Sequence, residues 1–131
     1  MADSIFTKII KGEVPSHKVY EDERTFAFMD NHPTQPGHVL VVSKNPAEVV
    51  WDLPDEDYRA VWETAHKVAN RMRQVFPRKK RIAVIVEGLD VPHNHIKIFP
   101  IDTGDQLRGQ SDHSLWENDE VLAEMAKKLA F

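Results

Sequence analysis

Between Pro54 and Phe76 the apolar residues Tyr58, Val61, Trp62, Ala65, Val68, Ala69, Met72, Val75 and Phe76 recur three or four positions apart, adjacent pairs counting as one stripe. That period is helical, and it predicts one amphipathic helix of about five to six turns. The charges agree with its dipole, with Asp52, Asp55, Glu56 and Asp57 near the start and Arg71 and Arg73 near the end. A helix with one long apolar face needs a surface to cover, and the runs flanking it read as short strands. These lie around Lys18–Glu21 and Thr25–Met29, joined by the turn-like Asp22-Glu23-Arg24, then at His38–Ser43, Arg81–Glu87 and Asn94–Phe99. Ile5, Phe6, Ile9 and Ile10 predict a short opening helix, with Asp3 or Ser4 as N-cap and Gly12 just past its end. Pro15 makes 13–16 a loop, and two prolines and a glycine do the same for 30–37. Gly88-Leu89-Asp90 reads as a tight hairpin connection, 102–114 as loop, and Asn118–Leu129 as a final helix with Val121, Leu122, Met125 and Leu129 on one side. Strands that do not alternate with helices imply an α+β domain. An antiparallel sheet of about five strands is expected, with helices on one face.

A chain of 131 residues is sized for one domain spanning 1–131, with 102–131 as a C-terminal loop and helix. A net charge of -4 argues against a dedicated nucleic-acid or anionic-membrane binder. The run Pro77-Arg78-Lys79-Lys80-Arg81 then reads as a solvated turn between helix and strand. The absence of cysteine removes disulfides, thiolate metal sites and cysteine nucleophiles together. Met1-Ala2-Asp3-Ser4 lacks the basic and apolar regions of a signal peptide, and no run approaches the ~20 apolar residues of a membrane span. A cytoplasmic location is the expectation.

The alternation from Asn94 to Phe99 places His93, His95 and Lys97 on one strand face, about 7 Å between neighbours, while Ile96 and Ile98 point toward core. Two imidazoles and an ammonium on one face admit three readings. They can be structural histidines, or a His-x-His metal site, which Lys97 would repel. The third is phosphoryl chemistry, with an imidazole nucleophile and a neighbouring cation for the phosphoryl oxygens. Spacing alone does not choose. His38 opens a buried strand after Pro36-Gly37 and reads as a core or orienting histidine. His66 falls on the polar side of the long helix, His17, His32 and His113 lie in loops, and Trp51, Trp62 and Trp116 show no base-stacking arrangement.

His93-Asn94-His95-Ile96-Lys97-Ile98-Phe99 resembles the signature His-φ-His-φ-His-φ-φ of the histidine triad (HIT) family of nucleotide-binding proteins. The runs Ser4–Ile10, Val19–Asp22, Ala27–Asp30 and Pro36–Val42 fall in the order in which that family has similar ones. The resemblance covers most of the chain, has the look of a short-loop bacterial-type member, and implies a HIT-like fold. It implies that His95 is the nucleophile that attacks the α-phosphorus of a purine nucleotide and carries a covalent nucleotidyl intermediate. His93 and His38 would orient it, Asp30 would bind the ribose hydroxyls with Asn31 beside it, and Ile5, Phe6, Ile9, Phe28 and Leu40 would wall the base pocket. No metal or other cofactor is implied. The partners would be an AMP-like nucleotide and a second copy of the chain, paired through the long helix and an edge strand, rather than nucleic acid or membrane.

Several positions depart from the family pattern. Lys97 stands where a third histidine would assist the leaving group, and an ammonium does not readily take a proton back. Asn94 and Asn31 replace apolar residues, and Val86 replaces what is a polar residue in many relatives. The loop 88–92 is short, and Ser4 and Thr7 stand where some members carry zinc-binding cysteines. The expectation is a nucleotide hydrolase or nucleotidyl transferase, phosphoramidase-like or dinucleoside-polyphosphate-hydrolase-like. Its rival is a non-catalytic nucleotide-binding module.

Overall fold

The computed structural model describes residues 3–107 and 118–131. His113, Trp116 and the stretch 108–114 of the expected loop lie outside the described residues. The elements are α1 (Ile5–Ile10), β1 (Lys18–Glu21), β2 (Thr25–Met29), β3 (Val39–Ser43), α2 (Asp55–Val75), β4 (Arg81–Ile85), β5 (His95–Ile101) and α3 (Asp119–Leu129). Single 3-10 turns cover Val50–Asp52 and Gly104–Leu107, the second falling within the expected loop. The five strands form one sheet in the order β1-β2-β3-β5-β4, every pair antiparallel.

Each long element follows from its sequence. α2 starts after Pro54 with Asp55, Glu56 and Asp57 in its first turn, and it buries Val61, Thr64, Ala65, Val68 and Met72. α3 is capped by the Asn118 side chain, which accepts from the Val121 amide, and it buries Leu122, Ala126 and Leu129. Both helices pack with Ala27, Met29, Val39, Val41, Ile96 and Ile98 in the main core. The short α1 does not join them. Phe6 and Ile9 pack with Phe26, Phe28, Leu40 and Val42 on the opposite face of the sheet, so the helices are not all on one side as expected. β2 and β3 are apolar on both faces and buried at every position, so their sequences could not reveal which face each helix covers.

A second difference concerns the expected tight hairpin at Gly88-Leu89-Asp90. β4 ends at Ile85 and β5 begins at His95, so the connection runs through 86–94. Asn94 is held elsewhere: its amide donates to the Ala47 carbonyl at 2.9 Å, and its side chain reaches the same loop. A residue whose polar groups are taken by the chain after β3 cannot also pair with β4. His93 therefore sits just before β5 rather than on the strand.

Candidate active site

The histidine pair is organised by backbone carbonyls. His95 Nδ1 lies 2.7 Å from the carbonyl oxygen of His93. A carbonyl only accepts, so Nδ1 carries the hydrogen and the neutral ring keeps its lone pair on Nε2, at the opposite edge. His93 is fixed by the same logic. Its Nε2 donates to the Ser43 carbonyl at 2.7 Å, which leaves Nδ1 to accept from the Thr7 hydroxyl at 3.2 Å; the Ser4 hydroxyl, which donates to Thr7, stands 3.1 Å from the same nitrogen. Burial is the main cause that holds His93 below the ordinary imidazole range, so it is a neutral, locked ring. The Phe6 ring stands edge-on to His95, centroids 5.1 Å apart and planes 87° apart, and packs in the same way on Phe28 at 5.5 Å.

His95 faces a cavity of about 400 Å³ between α1, the sheet and the loops after β2 and β4. Ile5, Phe6, Ile9, Phe28 and Leu40 line it, as do Asp30, Asn31, His38 and Lys97. Of the residues singled out from the sequence, only His93 is absent from the lining, because it stands behind His95. The pairing Val42↔His95 and Leu40↔Lys97 explains the grouping, since alternation along β3 and β5 puts these side chains on the α1 face. Polar and apolar groups thus converge in one concave site.

His38 follows Gly37, whose φ of +89° and close approach to Phe76 exclude a side chain there; an added Cβ would lie 2.9 Å from the Phe76 ring. The Thr34 amide donates to His38 Nδ1 at 2.9 Å, so the hydrogen of the neutral ring is on Nε2. That atom is buried, has no hydrogen-bond partner among the described residues, and faces Asp30 Oδ2 at 3.5 Å. Burial pushes the His38 pKa down to about 4; Asp30 works against this, and Lys97 and His95 add to it. His38 is therefore a neutral N–H donor near pH 7. Its nearest ring neighbour is Phe99, at 5.0 Å between centroids, and no hydrogen bond joins it to His95. The other oxygen of Asp30 accepts from the His32 amide at 2.8 Å, which fixes the carboxylate at the cavity wall.

Lys97 has a partner that sequence reasoning missed: its Nζ lies 3.0 Å from Glu87 Oε1. Glu87 belongs to the loop between β4 and β5, and only the path of that loop brings it to β5. Its carboxyl is held below the usual range, first by the Lys97 hydrogen bond. The sequence offers Ser4 as an N-cap, which it is, and gives Thr7 no partner; the structure brings both hydroxyls to the Nδ1 of His93. Asp90, Val91 and Thr34, also unforeseen, complete the lining with His32. His66 is exposed, His17 pairs with Asp119 at 2.8 Å, and neither lines the cavity. A wider concavity of about 900 Å³ lies over Arg73, Lys79, Lys80 and Arg81, but no histidine or carboxylate lines it. Among the described residues no three His, Asp or Glu side chains are grouped as metal ligands. In chemical terms the site offers an imidazole with a free Nε2, a nearby ammonium, a neutral N–H donor, a carboxylate and an apolar slot.

The fold and the sequence match known proteins. The crystal structure of a Hit-like protein from Bartonella henselae superposes with a TM-score of 0.82 and 32% identity, over 96% of this chain and 93% of that one. An uncharacterized HIT-like protein of Borreliella burgdorferi is 39% identical over 75 residues, 57% of this chain and 54% of that protein. The adenosine 5'-monophosphoramidase of Saccharomyces cerevisiae is 34% identical over 103 residues, 76% of this chain and 63% of that enzyme. The chain therefore spans less than two thirds of the length of these two relatives. Among the described residues no helix is long and apolar enough to cross a membrane. With the HIT domain model matching residues 11–104, more than half of the sequence, the chain belongs to the HIT domain family.

Proposed function

We propose that the chain is a nucleotide hydrolase or nucleotidyl transferase that acts at the α-phosphorus of a purine nucleotide through a covalent intermediate on His95. The contact of His95 Nδ1 with the His93 carbonyl, 2.7 Å, carries this reading, because with the hydrogen on Nδ1 the lone pair of the neutral imidazole is on Nε2, the nucleophile. Nε2 bonds to phosphorus while the bond to the leaving group breaks with its electron pair. Water then attacks the nucleotidyl-imidazole, the P–N bond breaks back to Nε2, and the nucleoside monophosphate is released. Lys97, where other members carry a third histidine, supplies the cation beside the phosphoryl group. The base enters between Phe6, Ile9, Phe28 and Leu40, and the carboxylate of Asp30 meets the ribose. The activity named for the Saccharomyces cerevisiae relative supports an adenine nucleotide as ligand.

The test is release of AMP from an adenosine phosphoramidate and from a dinucleoside polyphosphate, with protein quenched in alkaline denaturant weighed for a nucleotidyl adduct. His95→Ala is expected to lose turnover by about 10³-fold or more and to keep AMP affinity within about tenfold. Full activity in that variant removes the mechanism. One observation favours a binding module without turnover: Lys97 is engaged by Glu87 instead of standing free as a proton donor. AMP binding with no product from either substrate would select that reading.

A further inference from the structure

We propose that Glu87 is the specificity-determining positioning residue of this site. It holds Lys97 as a fixed cation, so the substrates are nucleotides whose α-phosphorus carries a leaving group that departs as a stable anion, a phosphate or a carboxylate, rather than an amine. This deepens the function proposed above and rests on it.

The geometry supplies the reason. Lys97 and Glu87 meet at 3.0 Å with side chains about one fifth and one third exposed, so the pair is shielded from solvent in part. Lys97 is seated opposite Leu40 and Ile85 in the sheet, and its neighbour two residues before is His95. Glu87 reaches it through the loop that the bonds of Asn94 keep away from β4, and it shares a small cleft with His95. One N–H of the ammonium is thereby committed, and two remain for phosphoryl oxygens. The N–H that Glu87 accepts is not available to a leaving group. The same hydrogen bond is the first cause that holds the Glu87 carboxyl low. The remaining charged or titratable groups that share the cavity with Lys97 are His95, His38, Asp30 and Asp90, apart from His32 in the loop after β2. His38 is neutral near pH 7 and carries its hydrogen on Nε2, but it lies beside Asp30.

An anionic leaving group removes the need for a proton. His95 Nε2 forms the P–N bond as the P–O bond breaks, and its electron pair goes to the departing phosphate or carboxylate. In the second step water forms the new P–O bond, the pair returns to Nε2, and the proton from water goes to the released anion or to solvent. An amine would have to leave as an amide ion or find a donor, and the paired Lys97 is a poor one.

The experiment compares adenylates that differ only in the leaving group: diadenosine tetraphosphate, an acyl adenylate and an adenosine phosphoramidate. The wild-type protein is expected to prefer the two anhydrides by at least about 100-fold in kcat/KM. Glu87→Gln should lower kcat on the anhydrides about tenfold with KM within threefold, and should narrow the preference at least threefold. Glu87→Asp should recover part of both. Lys97→His, which restores a titratable donor, should raise phosphoramidate turnover. An unchanged preference and an unchanged kcat in Glu87→Gln overturn the role of Glu87 and leave the proposed function intact. Wild-type activity equal on amine and anhydride overturns the leaving-group assignment. AMP binding without turnover of any of the three refutes the function, and the leaving-group assignment falls with it.

Discussion

Replacing Asn94 by leucine, the kind of residue the family pattern places there, should destabilise this protein. Its side chain is 1% exposed, yet all of its hydrogen-bonding groups are used. Oδ1 accepts from the Ser43 amide at 3.1 Å, and Nδ2 donates to the Asn45 and Ala47 carbonyls at 2.9 and 2.8 Å. In Asn94→Leu the Ser43 N–H is stranded in a fully buried residue, at about 2 kcal/mol. The two carbonyls lie in a half-buried loop where water can replace the lost donors, and Ala47 keeps its bond from the Asn94 amide, so together they add about 1 kcal/mol. The sum is about 3 kcal/mol, or roughly 10 °C in Tm for a domain of this size. Urea unfolding and thermal melts of the two proteins measure it. Asn94→Asp should not rescue, because it keeps the acceptor for Ser43 but loses both donors. A loss below about 1 kcal/mol in Asn94→Leu, or recovery in Asn94→Asp, refutes the bonding scheme.

Two further outcomes follow from the fold. His38 takes up a proton near 6.5 when unfolded but only near 4 when folded, so between these values the unfolded chain binds more protons and stability rises with pH. Its contribution is complete above about pH 6.5 and lost on acidification toward pH 4. Urea unfolding at pH 7 and 4.5 should show a drop that is about 2 kcal/mol smaller in His38→Asn than in the wild type, and equal drops would remove the assignment. Among the described residues β4 pairs with β5 alone, and Val84 on it is 44% exposed, so this edge is the expected seam of a homodimer. Light scattering at micromolar concentration should give twice the chain mass for the wild type and a lighter species for Val84→Glu, and a monomer mass for the wild type would count against pairing.

The sequence alone determined the elements. The three-and-four spacing of 58–76 can only be satisfied by a helix, and the period of two in 94–99 only by a strand, because each repeat reflects the local geometry of one element. The same alternation brought His95 and Lys97 to one face, and a match of several runs in register pointed to Asp30, His38 and the apolar residues that line one cavity with them. What it left open depends on contacts between distant segments. β2 and β3 are apolar on both faces, so only packing decided that α1 lies opposite α2 and α3. Asn94 looked like a lapse in an apolar pattern, and its purpose appears only where the loop after β3 passes beside it. Glu87 and Lys97 stand ten positions apart, Ser4 and His93 eighty-nine, and no local period connects either pair. Hydrogen bonds act over about 3 Å and a sequence pattern speaks for a single element; which imidazole nitrogen is free and what holds the cation beside it were therefore decided by the tertiary structure.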